Sequence, residues 1–397
     1  MSYNDVMKRG DDFLAQYPRR SKFWNMLSFT TCMVGVTGSK IFLNLFYKPK
    51  VHNIERLESA MTKAVEENRG LMTVMNHMSV VDDPFVWGVL PLRLYTKYHQ
   101  MRWCLGASNV CFKTPTLAQF FSLGQVLSTE RFGKGPFQGS IDAAIRLLSP
   151  DDTMDFEYTP ASEATSAPAS TSSGNANSNL LNKKYIPPIL RDKPAWVHVY
   201  PEGFVLQLET PYANSMRYFK WGITRLILES TKPPVIVPMF STGFEKVAPE
   251  SAAGTLVERY LPRNFGARID VSIGHQISEE LIDGYRTEWA ELCQKYPNKE
   301  NPNDLSDELK YGKEACALRS KVAAGLRDHV AQIRHKERFF VLEDERFRSP
   351  EWWKEYTKTE GKSDPDVQFI GQNWAIRRLQ GYKDEVDDKI IIEVPKK

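Results

Sequence analysis

The stretch Leu71-Met72-Thr73-Val74-Met75-Asn76-His77-Met78-Ser79-Val80-Val81-Asp82-Asp83-Pro84 decides how the chain is read. It opens on a short apolar run of the kind that forms a strand buried on both faces. A dense polar cluster follows at once, and Pro84 suits the first position of a helix. Strand, polar loop and helix make the repeating unit of α/β folds. The loop at the strand's C-terminal end is where such folds place their sites.

His77 and Asp82 are the chemistry-bearing pair of that loop. On a straight helix, side chains five residues apart would point about 140° away from each other. A bend is needed to bring them together. Asp is a favoured N-cap and Pro a favoured first helical residue. Asp83 is therefore expected to cap a helix starting at Pro84, which leaves Asp82 in the loop within reach of His77. An imidazole oriented by a carboxylate is a general base, because the carboxylate fixes the tautomer and stabilises the imidazolium. Ser79 is too near in sequence to be its nucleophile, and the chain has no Gly-x-Ser-x-Gly elbow. The hydroxyl to be activated is then the substrate's own. The plain alternative is a satisfied loop histidine beside two capping aspartates.

Outward from this loop, strands are expected at Arg102–Ala107, Gln125–Ser128, Ala195–Tyr200, Pro234–Ser241 and Ala267–Gly274. Between them fall helices at Ile54–Asn68, Pro84–Leu90, Leu117–Leu123, Phe137–Leu148 and Met216–Ser230. The alternation predicts an α/β fold, a central, mostly buried mixed sheet flanked by helices. Residues 159–182 are rich in Ser, Ala, Thr and Asn and read as a flexible insertion. Leu305–Lys336 reads as one long, charged, solvated helix, and the tail after Glu343 suggests no fold.

With 397 residues, 42% hydrophobic and 25% charged, the chain has the composition of a globular protein with a real core. A formal net charge of +3 gives no case for nucleic acid. The charge is uneven: residues 1–50 hold eight Lys/Arg against three Asp/Glu, which suits an anionic membrane surface. Five scattered cysteines, none in a Cys-x-x-Cys pair, point to neither a disulfide framework nor a metal site.

Met1 to Pro18 is polar, with Asp5, Asp11 and Asp12, and reads as neither a cleavable signal nor a transit peptide. The apolar stretch 23–47 comes next, carrying Phe23, Trp24, Leu27, Ile41, Phe42 and Leu45 between basic flanks. Lys40 interrupts it, and it is short for a spanning helix. It reads as a segment lying in one leaflet, with a buried core helix as the alternative. Phe219 and Trp221, flanked by Arg217, Lys220 and Arg225, form a second membrane candidate, with an ordinary core helix as a close second reading.

Four motifs, in order, carry a resemblance. They are Asn76-His77 with Asp82, Gly124 to Arg131, Val199-Tyr200-Pro201-Glu202-Gly203, and Val235-Ile236-Val237-Pro238-Met239. Together they resemble the glycerolipid acyltransferase family, and over most of its length the chain is similar to the branch that remodels cardiolipin. The resemblance implies His77 and Asp82 as catalytic residues. It implies Arg131 as the phosphate holder, a task that suits a guanidinium. Gly124, Pro201, Glu202 and Gly203 would bind substrate, with Glu202 on a glycerol hydroxyl or on a basic partner in the site. Phe204 departs from the commonest pattern, which has a small hydroxyl residue there.

The resemblance also implies transacylation without coenzyme A, from a phospholipid such as phosphatidylcholine to monolysocardiolipin. The setting would be mitochondrial membranes, attached peripherally or monotopically on the intermembrane-space side, with no metal or organic cofactor and no protein partner specified. On this reading 1–50 is a membrane-associating segment, 51–295 the acyltransferase domain and 296–397 a C-terminal helix and tail. An acyl-CoA-dependent lysophosphatidate acyltransferase shares all four motifs. A non-enzymatic membrane scaffold is the alternative from another class.

Overall fold

In β2 (Leu71–Met75) all five residues are buried, as the apolar run predicts. The strand sits at the centre of a seven-stranded sheet of order β1-β7-β6-β2-β5-β3-β4 in a computed structural model. The structure describes residues 22–97, 100–130, 135–149, 195–250, 261–299, 305–359 and 361–370. The other strands are β1 (Lys48–His52), β3 (Arg102–Ala107), β4 (Val126–Thr129), β5 (Trp196–Val199), β6 (Val235–Thr242) and β7 (Arg268–Ile273). β6, β2, β5, β3 and β4 run parallel. β7 is antiparallel to β6, and β1 is parallel to β7, which makes the sheet mixed.

Helices cover both faces, as a parallel sheet requires. One face packs under Gly139–Leu148, Gly222–Leu228, Glu279–Lys295 and Lys313–Gln332, the other under Lys22–Phe46, Ile54–Glu66 and Asp82–Val89. Thr73, the polar residue of β2, is satisfied within the sheet. Its hydroxyl accepts from the Trp196 indole at 2.8 Å and lies 2.7 Å from His198 Nδ1.

The 23–47 stretch is a single helix, Lys22–Phe46, the one helix among the described residues long and apolar enough to cross a membrane. Lys40 does not break it, because its ammonium donates to Gly88 O at 3.1 Å and Leu90 O at 3.0 Å at the end of the helix Asp82–Val89. Trp24, Ser28, Cys32, Val36, Ser39 and Leu43 recur every three or four residues and form a buried stripe. A Cβ at Gly88 would meet the Lys40 backbone nitrogen at 2.7 Å, so the two helices cross almost in contact. Phe23, Leu27, Ile41 and Leu45 point outward and are exposed. Trp24 is instead buried, and Phe42 is half-buried, stacked on Phe85 at 5.4 Å.

Other expectations need correction. The helix expected from Met216 starts only at Gly222, because the Arg217 and Lys220 amides are spent on Glu202 Oε2 and Pro201 O. Phe219 is buried and Trp221 packs against the same core, so neither offers a membrane face. Leu305–Lys336 is not one solvated helix. It breaks at Gly312, and Lys313–Gln332 buries Leu318, Val322, Leu326 and Val330. The tail does fold. Glu345–Arg348 and Pro350–Lys358 form short helices, and Phe347, Trp353, Tyr356 and Val367 close a small core on Leu206 and Leu208. β1 and Glu279–Lys295 were not expected at all. The expected boundary at residue 50 falls inside β1, and Leu305 and Leu309 belong to the main core. Residues 159–182 lie outside the described residues.

Candidate active site

β2 delivers Asn76 and His77 to the C-terminal edge of the sheet. Asn76 is fully buried and pins the loop to β6. Its amide donates to Ser241 O at 3.0 Å and accepts from Ser241 N at 2.8 Å. The His77 backbone is held on both sides. Its N–H donates to Glu202 Oε1 at 2.8 Å, and its carbonyl accepts from Leu206 N.

The side chain of His77 meets Asp82 as the bent loop allows, with Nδ1 2.8 Å from Asp82 Oδ2. The same oxygen accepts from Met78 N at 2.7 Å and Ser79 N at 3.0 Å. Asp82 is fully buried, so these donors and the imidazole carry its charge. An ionised carboxylate only accepts, which places the hydrogen on Nδ1 and leaves the Nε2 lone pair available. His77 keeps 22% of its side chain exposed and lines a cavity.

Asp83 has the extended backbone of a cap (φ −100°, ψ 116°), but its carboxylate caps nothing. It accepts from Arg102 Nη2 at 2.5 Å, from the Trp87 indole, and from Cys104 Sγ at 3.0 Å. Burial pushes this carboxyl up, but the Arg102 guanidinium, helped by those donors, brings it below the usual range. The capping expectation is thus corrected: a guanidinium in β3 outcompetes the local amides, as a full charge does.

Tyr200 stacks on the His77 ring at 4.6 Å and meets the His198 ring edge-on at the same distance. His198 is fully buried, and burial pushes its pKa down to about 3. It is therefore a neutral packing group beneath the site.

The cavity measures about 610 Å³ and opens above the C-terminal ends of four strands. His77, Tyr200, Pro201 and Gly203 form its floor on the β2 and β5 side, and Leu105, Ala107, Thr129 and Glu130 come from β3 and β4. Lys220, Trp221, Ala323 and Arg327 form one wall, and Arg348, Pro350, Glu351 and Lys354 another. Gly203 has φ +80°, a conformation that favours glycine, and a Cβ there would meet Lys220 Cε at 3.0 Å.

Two expected substrate contacts are elsewhere. Gly124 ends the helix Pro115–Leu123 at the opposite end of β4, where its carbonyl accepts from Arg102 Nη1 at 2.8 Å. Glu202 is buried behind the floor, with both oxygens taken by the His77 and Arg217 amides. Burial pushes its carboxyl up to about 8 against those donors. It holds the His77 loop and does not face the cavity. Arg131 lies outside the described residues.

Sequence reasoning missed Tyr200 as the neighbour of His77 and the basic residues of the far wall. Tyr200 carried a signal, since it stands directly before Pro201 at the end of a strand. Arg348 and Lys354 carried none, because only the folded tail brings them here. Among the described residues no three His, Cys, Asp or Glu side chains gather as metal ligands. The arrangement can take a proton from a hydroxyl in a largely apolar chamber.

Residues 48–242 match the Acyltransferase family, a span that ends before the C-terminal wall. The chain is 59% identical over 382 residues to Tafazzin of Saccharomyces cerevisiae, covering 96% of this chain and 97% of that protein. It is 30% identical over 258 residues to Tafazzin of Drosophila melanogaster, covering 65% of this chain and 53% of that protein. It overlaps the crystal structure of the 1-acyl-sn-glycerophosphate (LPA) acyltransferase PlsC from Thermotoga maritima at 14% identity and a TM-score of 0.35. That overlap covers 73% of this chain and 94% of the other.

Proposed function

This chain belongs to the tafazzin family and is an acyltransferase of lipid remodelling; from that premise we propose that it is a phospholipid–lysophospholipid transacylase that needs no coenzyme A. It moves an acyl chain from a phospholipid such as phosphatidylcholine to monolysocardiolipin. The observation that carries this reading is the 2.8 Å His77–Asp82 contact beside the cavity.

His77 Nε2 takes the proton of the acceptor's free hydroxyl as that oxygen attacks the donor's ester carbonyl. Asp82 stabilises the imidazolium. The tetrahedral intermediate collapses, the donor's glycerol oxygen leaves, and the imidazolium returns its proton to that oxygen. One ester forms as one breaks, and no water is consumed. Arg131, two residues beyond Thr129 in the sequence, is the expected holder of an acceptor phosphate.

The test is acyl transfer by the purified full-length protein in liposomes, with labelled phosphatidylcholine and monolysocardiolipin and no coenzyme A. The expected result is transfer that falls by roughly 10²–10⁴ in His77→Ala, the usual worth of a general base. Activity only on adding acyl-CoA would replace this reading with the acyl-CoA-dependent one. Undiminished transfer by His77→Ala would overturn the mechanism.

The outward face of the helix Lys22–Phe46 supports attachment to a membrane, in the family's setting the mitochondrial membranes facing the intermembrane space. Its Phe23, Leu27, Ile41 and Leu45 are exposed, with no apolar cover among the described residues. Ile41→Glu with Leu45→Glu leaves the buried stripe intact and should move the protein into the soluble fraction on carbonate extraction. Unchanged retention would discard this face as the anchor.

A further inference from the structure

The lining of the cavity as a whole carries more basic than acidic side chains. Four basic side chains line the cavity, Lys220, Arg327, Arg348 and Lys354, against two acids, Glu130 and Glu351. Arg327 is spoken for. It donates to Arg217 O at 3.0 Å and Met216 O at 2.8 Å and pairs with Glu343 at 2.9 Å. Arg348 pairs with Asp328 and Glu345. Glu351 is drawn aside, accepting from Ser349 Oγ at 2.9 Å.

Lys354 differs. It is half-buried, and among the described residues no carboxylate lies within ion-pairing distance of it. Its position is built, not accidental. Trp353 and Tyr356 anchor one side of the helix Pro350–Lys358 in the small core. That leaves Pro350, Glu351 and Lys354, one helical turn apart, on the cavity side. The neighbouring segment carries Lys220, whose ammonium end lies against Gly203. Arg217 joins the two segments, its guanidinium 4.4 Å from the Tyr218 ring and 5.7 Å from the Trp353 ring.

We propose that Lys354, with Lys220 on the adjoining segment, is a phosphate-binding subsite that makes the C-terminal module a specificity-determining wall. Its ligand is a phosphodiester of the lipid acceptor. This rests on the transacylase reading in one respect only, that the acceptor is a glycerophospholipid with two phosphates. One phosphate goes to Arg131, the holder that the proposed function expects, and the second meets the Lys354 wall. The Lys354 ammonium, beside an apolar chamber and with no carboxylate among the described residues to give up, accepts such a group directly.

The experiment compares Lys354→Gln and Lys354→Arg with wild type on an acceptor with two phosphates, monolysocardiolipin, and one with a single phosphate, lysophosphatidylglycerol. Each acceptor is run with phosphatidylcholine and separately with acyl-CoA as donor. Lys354→Gln should raise the ratio of KM for the two-phosphate acceptor to KM for the one-phosphate acceptor roughly tenfold, the size of one charge-assisted contact. Lys354→Arg should restore the ratio, and melting temperatures should match. An unchanged ratio, or an equal loss on both acceptors, overturns the proposal. So does a defect that follows acyl-CoA and not the acceptor, because the phosphates bound would then be the nucleotide's. Wild-type activity with acyl-CoA alone would remove the transacylase reading but leave the acceptor ratio readable.

Discussion

Asp82 and Asp83 are adjacent in the chain and serve two different regions of the molecule. Asp82 faces the cavity side, where its buried carboxylate orients His77 and gathers two loop amides. Asp83 faces the core side, where Arg102, Trp87 and Cys104 hold it beneath the site. The loop bends between them, and that bend separates the carboxylate on His77 from the one on Arg102. The lesson is that a run of two acids does not say which of them the proposed proton transfer would use. The partner of each carboxylate does, and one partner is local while the other comes from a different strand.

The sharpest way to break this comparison is to neutralise each acid in turn. Asp82→Asn should lower kcat by roughly 10²–10⁴, because an amide no longer favours the imidazolium or the required tautomer. Its KM should change little. Asp83→Asn should act on the other quantity. It leaves the Arg102 charge without its partner and should cost about 3 kcal/mol of stability, the lower end for a broken buried pair. The 22% of its side chain that stays exposed keeps the loss at that lower end. Urea unfolding and turnover per folded molecule separate the two effects. An Asp83→Asn variant of normal stability and collapsed kcat would show the two regions working as one.

The difference between local and distant partners also explains what could be read from the sequence. His77 with Asp82 was legible because a separation of five residues and the bend before Pro84 confine the geometry. β2 was legible because an apolar run that short suits a strand buried on both faces. Asp83 was only half legible, since its extended backbone follows from Pro84 but Arg102 lies 19 residues on, in β3. Phe219 and Trp221 showed an aromatic face that fits a membrane and almost as well a core, and the structure puts them against the core. Gly124 was assigned by motif position alone and lies at the wrong end of its strand. The C-terminal wall was illegible. Its small core needs Leu206 and Leu208, and its Arg346 pairs with Asp344, Asp364 and Asp366, contacts that no periodicity announces.

Glu202 gives the finest test, because it stands between the two regions. Like Asp82 it gathers backbone amides around the His77 loop, and like Asp83 it stays out of the cavity. Burial raises its carboxyl from 4.5 to about 8, so the native protein keeps a proton there that the unfolded chain has released. A group with a raised native pKa contributes stability that is present at low pH and lost as pH rises through the window between the two values. Glu202→Gln removes that pH dependence. Its stability relative to wild type should therefore climb between pH 5 and pH 8, the window set by those two values. Urea midpoints at the two ends measure it. The change in kcat should be smaller than in Asp82→Asn, since Glu202 reaches the imidazole only through the backbone of His77. A stability difference that stays constant across the window would mean a carboxylate charged throughout, and Glu202 would then belong with Asp82 as an ionic anchor of the loop.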